Sequence, residues 1–461
     1  MASEVYGAIP ENAAVDRRSA YLNAVWGEDR SMRSAVSFIH PRDEILQAIQ
    51  RIYRYRMTTT SGGNLSIRED NGDIWITPAR LDKGSLRRED IVCVRADGTV
   101  RGPHRPSSEL PFHQEIYRER HDIRGIVHAH PVALVAFSLV HLVPDTHLFH
   151  QTRLVCGEAG FAPYELPGSL ALGRNVAAIF GQGFNCVLLE NHGAVTGGAN
   201  LQEAFHRFET LEFTAKTIIK ARMLGEVRYL TDDEIALARD SAPEWTAFPH
   251  HEPSTHEKEI RAHLAEFVRR AYRQRLFIST QGSFSARVDG ESFLITPYRQ
   301  DRGTMDVHEL VLVRNGDCEA GGVPSRAARL HEEIYRQHPA IGAIVNAYPV
   351  NATAFSVTGV PLDTRTIPES YLVIRQVSRF PYGLQFSDAE TLAAQMSPRR
   401  PAALLENDGV LVSGGNILEA FDRLEVLEST AEALINCHTV GTLAPMPEAV
   451  TRELDRVFLG E

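Results

Sequence analysis

The sequence predicts an α/β chain of two tandem domains built on one plan. Long stretches repeat in order: residues 113–132 read HQEIYRERHDIRGIVHAHPV and residues 331–350 read HEEIYRQHPAIGAIVNAYPV. Ile76-Thr77-Pro78 recurs 219 residues later as Ile295-Thr296-Pro297, and Glu190-Asn191-His192-Gly193 recurs 216 residues later as Glu406-Asn407-Asp408-Gly409. The spacing hardly drifts, so whole domains correspond; a solenoid would repeat every 20–50 residues or so. Within each copy, short apolar runs of strand type alternate with segments of helical periodicity. The length of 461 residues, with 43% hydrophobic content, gives room for two domains of about 200 residues each.

The elements follow in order. Residues 1–40 are polar and aperiodic and read as an arm. Pro41 opens an amphipathic helix through Ile45, Ile49, Ile52 and Tyr53. Thr58–Ser66 is a turn-rich loop. Ile74–Thr77 and Ile91–Arg95 read as strands, the second ending at the turn Asp97-Gly98. Ser107-Ser108 precede a helix from Glu109 to Arg120. Gly125–Ala129 is a continuous apolar run, as a buried strand would be, and Val132–Val140 is a helix. Cys186–Glu190 is a strand, with Gly197-Gly198 as its expected breaker. Asn200 and Glu203 sit at the spacing of a helix cap and its partner, repeated by Asn416 and Glu419. The Pro/His/Ser-rich stretch 246–256 reads as a linker. The domains are then 41–245 and 257–461.

Composition narrows the function classes. A net charge of −11 argues against nucleic acid or an anionic membrane as partner. The first residues hold no apolar core of the kind a signal peptide needs. No run reaches the eighteen or so apolar residues of a membrane span. The five cysteines are odd in number, scattered and without C-x-x-C spacing, as expected of reduced thiols. The chain is expected to be cytoplasmic.

The chemistry concentrates in the first copy. His128 and His130 stand two apart at a predicted strand end, so their side chains share one face. Two imidazoles side by side suit a metal, although an isolated H-x-H also arises from one core and one capping histidine. His192 lies in an Asn-His-Gly turn just past another strand, where a third ligand can converge. Glu109 opens a helix and offers a carboxylate. Three histidines leave a coordination position for substrate, as catalytic metal sites do. The second copy is an internal control: Glu109, His128, His130 and His192 correspond to Ala327, Asn346, Tyr348 and Asp408. All four change while the scaffold sequence survives, which loss of one shared function explains.

The chain resembles the class II aldolase/adducin head family, duplicated. The residues that carry the likeness are Gly63-Asn64-Leu65-Ser66, Ile76-Thr77-Pro78, Pro106-Ser107-Ser108-Glu109, His128-Ala129-His130-Pro131 and Asn191-His192-Gly193. The second copy matches more weakly and is degenerate. The resemblance implies two three-layer α/β/α domains, each around a mostly antiparallel sheet. It implies a divalent metal, Zn2+ first with Mn2+, Co2+ or Fe2+ as alternatives, held by His128, His130 and His192. Glu109 is then the general base and in some members a fourth ligand. Aldol or retro-aldol cleavage through a metal-stabilised enediolate is the leading activity. The same apparatus serves decarboxylation of a hydroxy or oxo acid, aromatic acids included, so the fold does not fix the reaction. An adducin-like interaction protein without catalysis and an iron redox role are the other readings.

On the substrate side, the resemblance makes Asn64, Ser107 and Ser108 an anion cradle; the bland alternative is that they cap turns. The family's Thr-Pro-Ser-Gly stands here as Thr77-Pro78-Ala79-Arg80. Arg80 is suited to a carboxylate, so an anionic small molecule, carboxylate-bearing, is the expected substrate. Family sites lie between neighbours in a fourfold ring, and a neighbour lends a tyrosine. A homo-oligomer forming a pseudo-fourfold ring is therefore expected, with Tyr371 as the lent proton donor. His147 and His150, in the first copy's version of that segment, are further candidate acids. The second copy is expected to complete the first copy's site.

Overall fold

A computed structural model of the chain describes residues 39–241 and 243–460. Nearly all of the predicted N-terminal arm lies outside the described residues. The first sheet has eight strands: β1 (Asn64–Arg68), β2 (Ile74–Ile76), β3 (Val92–Val94), β4 (Val100–Arg101), β5 (Gly125–Ala129), β6 (Ala159–Ala162), β7 (Cys186–Leu189) and β8 (Gly193–Gly198). Their order is β4-β3-β2-β1-β5-β8-β7-β6. Every pairing is antiparallel except β6 with β7. β5 is buried along its whole length at the middle of the sheet, as its unbroken apolar run requires.

Successive residues of β5 feed opposite faces, and helices cover both. Ile126 meets Phe112, Ile116, Val176 and Phe180 of the helices Leu110–Glu119 and Leu170–Gly181. Val127 meets Ile45, Ile49, Phe205 and Phe208 of the helices Pro41–Arg54 and Leu201–Leu224. The result is the expected three-layer α/β/α domain. The first helix opens on proline, with Asp43 and Glu44 in its first turn and Arg51 and Arg54 in its last, which suits the helix dipole. Asn200 accepts from Glu203 N at 2.7 Å, as its N-cap position predicts, while Glu203 accepts from Ala199 N, one residue before the cap, at 2.6 Å.

The second sheet has nine strands: β9 (Ala247–Phe248), β10 (Ser283–Arg287), β11 (Ser292–Ile295), β12 (Val311–Arg314), β13 (Asp317–Glu319), β14 (Ala343–Ala347), β15 (Val377–Phe380), β16 (Ala402–Leu405) and β17 (Val410–Gly414). Their order is β15-β16-β17-β14-β10-β11-β12-β13-β9. β10 to β17 reproduce the first sheet strand for strand. Ser283 pairs with Asn346 as Asn64 pairs with His128, so the correspondence read from sequence holds at the level of register. No helix among the described residues is long and apolar enough to cross a membrane.

Two readings change. Gly197 and Gly198 do not break a strand; they lie inside β8, opposite Ile126 and Gly125. A Cβ on Gly198 would fall 2.6 Å from Ala204 N, so glycine lets the long helix Leu201–Leu224 lie against the sheet. The turn is made instead by Asn191, at φ 54. The stretch 246–256 does more than link, because β9 within it extends the second sheet by pairing with β13.

The two domains share one core. Leu134, Phe149 and Phe213 of the first domain join Tyr348, Phe355 and Leu427 of the second in a continuous apolar cluster. Beside it lies a buried charge network. Arg51 grips Asp301 with two hydrogen bonds, 2.5 and 3.2 Å, and lies over the rings of Phe205 and Tyr272. Tyr272 donates to Glu209 at 2.7 Å, and Arg275 also pairs with Glu209.

Removing one partner of a buried ion pair strands the other, so Arg51→Met is expected to cost about 3 kcal/mol in chemical denaturation. Burial alone would raise the Asp301 carboxyl, but His206 and Arg51 outweigh it and hold the group below its ordinary value. A depressed carboxyl stabilises the fold above its unfolded value of about 3.9, and that stability is lost as pH falls through the folded value. The stability difference between wild type and Asp301→Asn should therefore be largest at neutral pH and shrink below about pH 4.

Candidate metal centre

The end of β5 sets the site. His128, fully buried, and His130, just past the strand, project to one face with ring centroids 4.9 Å apart. The β7–β8 hairpin brings His192 to 5.0 Å from His128 and 4.9 Å from His130. Two glycines permit this approach. A Cβ on Gly193 would meet Ala129 O at 2.6 Å and the His130 ring at 2.7 Å. Gly63, at φ 72, lies where a Cβ would be 2.8 Å from His128 O. The Gly62-Gly63 loop is thus glycine because it presses against the strand that carries the imidazoles.

One ligand atom from each of the three histidines falls within 4.8 Å of the others. His128 Nδ1 lies 3.0 Å from the Ala194 carbonyl, which can only accept, so Nδ1 carries a proton and Nε2 is the ring nitrogen that faces the site. That Nε2 is 3.1 Å from His130 Nε2 and 3.2 Å from Glu109 Oε2. His192 Nε2 is 3.5 Å from Glu109 Oε1. Burial, with the charges of His128 and His192, pushes His130 down to about 3; burial and His128 push His192 down to about 4. Both rings are neutral at physiological pH and their lone pairs are available. Burial alone would raise the Glu109 carboxyl, but His128, His192 and the Asn64 amide hold it below the carboxylate range. Three imidazoles and an ionised carboxylate converging on one point fit a divalent metal of nitrogen and oxygen preference.

Glu109 is the N-cap residue of the helix Leu110–Glu119, yet its side chain makes no capping bond. Asn64 holds it instead, donating to Oε2 at 2.6 Å. The other end of the same amide accepts from His113 Nε2. His113 Nδ1 therefore accepts from Ser66, which in turn accepts from Tyr117. Burial, with His128, pushes His113 down to about 3, so this inner ring is neutral. The Asn64 amide, expected to face an anion, is engaged on both sides within the protein. Ser107 Oγ, also buried, accepts from Glu109 N at 3.3 Å, while Ser108 is exposed. Arg80 is exposed at φ 58 and makes no ion pair with Glu109.

His113 and Lys83 are residues that sequence reasoning passed over as site components. Lys83 is buried and donates to the Pro78 carbonyl at 3.1 Å, fixing the loop that carries Arg80; burial pushes it down to about 8. Arg302 does the same for Pro297 in the second copy, and this recurrence of a buried cation was the available signal.

The second copy keeps the scaffold and loses the ligands. Ser285, His331 and Tyr335 repeat the inner trio. Where His130 and His192 would meet, Tyr348 donates to Asp408 at 2.6 Å. Among the described residues, His128, His130 and His192 form the one cluster suited to a metal.

The lending expected of the second domain runs the other way within a chain. The helix His150–Cys156 of the first domain docks on the second domain's cavity, and Gln151 donates to Asp408 at 2.6 Å. His150 is buried there, while His147 pairs with Asp145 and Asp232 at the surface. The equivalent helix is Pro368–Ile374, 218 residues on. It carries Tyr371, whose hydroxyl donates to Asp455 at 2.9 Å, and none of the contacts of Glu109 or the three imidazoles is with it. Tyr371 falls on the position of Arg153, which is off the cavity wall; Glu369, exposed, stands at the position of Gln151.

Comparison with known proteins places the chain in a family. The family model described as class II aldolase and adducin N-terminal domain matches residues 43–219 and again 262–435. A 5-deoxy-D-ribulose 1-phosphate aldolase of Bacillus thuringiensis serovar kurstaki is 34% identical, over 42% of this chain and 91% of its own. A 3-oxo-tetronate 4-phosphate decarboxylase of Pectobacterium atrosepticum is also 34% identical, over 42% of this chain and 90% of its own. A solved L-fuculose 1-phosphate aldolase is similar at 31% identity and a TM-score of 0.39, covering 43% of this chain and 93% of that one. The chain belongs, in both of its halves, to the class II aldolase/adducin family and is a lyase of the aldolase or decarboxylase type.

Proposed function

We propose that the first domain is a divalent-metal-dependent carbon–carbon lyase of the aldol or retro-aldol type, acting on a small anionic hydroxy or oxo acid or sugar-derived substrate. The convergence of three imidazoles beside a buried carboxylate carries this reading. His128, His130 and His192 hold the ion, with zinc the first choice for this donor set. When bound, the ion supplies a Lewis acid for charge that develops on substrate oxygens. Glu109 takes and returns the proton at Oε1, the oxygen that Asn64 leaves open. Asn64 orients the base. Ser107, Ser108 and Arg80 receive the anionic end of the substrate. Arg299, the counterpart of Arg80, lines the second domain's cavity, which supports a place for Arg80 at the mouth of the first.

Decarboxylation of an oxo acid is the second reading. Arg80, whose guanidinium suits a carboxylate, favours it, as does the decarboxylase relative at the same identity as the aldolase. Incubating the metal-loaded protein with ketose 1-phosphates and with 3-oxo acid phosphates separates the two. Aldehyde release from the former supports the aldolase; carbon dioxide without aldehyde from the latter supports the decarboxylase.

The same reading extends to assembly. A helix of the first domain seats on the second domain's site, and the equivalent helix of the second domain exposes Pro368 and Glu369. Repeating a heterologous contact closes a ring when its rotation closes. Two chains then make a pseudo-fourfold ring in which the second domain of one completes the metal site of the other. The helix that carries Glu369 and Tyr371 is the one that would be lent, with Tyr371 as the proton donor.

Glu109→Gln is expected to keep the metal, by elemental analysis, and to lower turnover by about 10²–10⁴-fold. His128→Ala should lose the metal as well as activity. Asn64→Ala, which frees the base, should lower turnover by about 10–100-fold with metal retained. Light scattering should give a mass near twice 51.3 kDa, and a monomer at working concentration would count against the ring.

A further inference from the structure

The second domain holds a cavity of about 120 Å³ where the first domain carries its imidazoles. It is not a collapsed remnant. Four polar side chains on its wall have an atom with no hydrogen-bond partner: Gln281 Nε2, on a residue 7% exposed, His150 Nδ1, on a residue 2% exposed, and the amide oxygens of Gln151 and Gln385. Buried polar atoms are nearly always satisfied, and those that are not call for an absent partner. Gln281 replaces Gly62 and Arg326 replaces Ser108, so this copy has gained an amide and a guanidinium where the first has a bare backbone and a hydroxyl.

The charges define what fits. Asp408 is the acid on the wall, and its carboxylate is engaged by Tyr348, Gln151 and Gln385 at 2.6, 2.6 and 2.9 Å. Arg326 donates to the Ala238 carbonyl, and its guanidinium lies 5.3 Å from the Phe386 ring. Its chain position is just ahead of the helix Ala328–Gln337, whose N-terminal end favours an anion. Leu154, Val155, Leu330 and Phe386 supply apolar wall. We infer that this cavity is a metal-independent binding site for a small organic anion. The anionic head, a carboxylate or a phosphate monoester, lies against Arg326 and Gln281, and an apolar or aromatic body lies against the leucines and Phe386. Because His150, Gln151, Leu154 and Val155 come from the catalytic domain, occupancy also clamps one domain to the other.

Titration calorimetry on the full-length protein tests this with benzoate, phenyl phosphate and the neutral benzamide. Benzoate or phenyl phosphate should bind and benzamide should not; which anion binds more tightly decides between the two head groups. Arg326→Gln should weaken binding by about tenfold or more, Gln281→Leu by severalfold, and His128→Ala should leave it unchanged. Gln281→Leu carries the test by itself if Arg326→Gln does not fold. The inference is overturned if no anion binds at about 10 mM, if benzamide binds equally well, or if affinity is lost in His128→Ala and kept in Gln281→Leu.

Discussion

Everything at the first site depends on how closely backbone can approach the C-terminal end of β5. Gly63 and Gly193 each lie where a Cβ would strike that strand or its imidazoles. Only with both loops pressed in do His128, His130 and His192 face one another, and only then does Glu109 come within 3.2 Å of His128. The carboxylate would escape to cap its own helix were it not held by Asn64, and Asn64 is held by the buried His113. Steric permission from glycine and direction from one amide chain make a centre out of residues spread from Asn64 to His192.

The duplicated half separates scaffold from chemistry. Ser285, His331 and Tyr335 keep the inner trio, while the four candidate reactive residues are gone. In the first copy His113 steadies Asn64; in the second, Ser283 replaces that asparagine, and His331 pairs with Asn346, the residue standing where His128 stood. The trio therefore belongs to the fold, and its link through Asn64 to Glu109 belongs to the first copy alone. The Tyr348–Asp408 hydrogen bond fills the ligand positions without a need for metal. Fusion through a shared core and the Arg51–Asp301 pair then commits the disarmed copy to its partner.

The histidines were legible because their signals are local: two residues apart on a strand, and one in an Asn-His-Gly turn. The helices followed from periodicity and caps, and the family likeness supplied the layers. The role of Asn64 was not legible, since an asparagine after two glycines reads equally as a turn cap or an anion ligand. Gly197 and Gly198 read as a break because glycine is rare in strands; their reason, the packing of the helix Leu201–Leu224, is tertiary. The wall that His150 and Gln151 give to the second cavity depends on docking between residues about 200–250 positions apart, which no local pattern records. Tyr371 was singled out for its chemistry; within a chain its hydroxyl meets Asp455.

The central claim is that one domain of each chain is metal-bearing and the other has been disarmed. Anomalous diffraction across the absorption edge of the bound metal addresses it most directly. The account predicts one peak per chain, among His128, His130 and His192 and within bonding distance of their ring nitrogens. No peak there on metal-saturated crystals, or a peak of equal height between Tyr348 and Asp408, would contradict it.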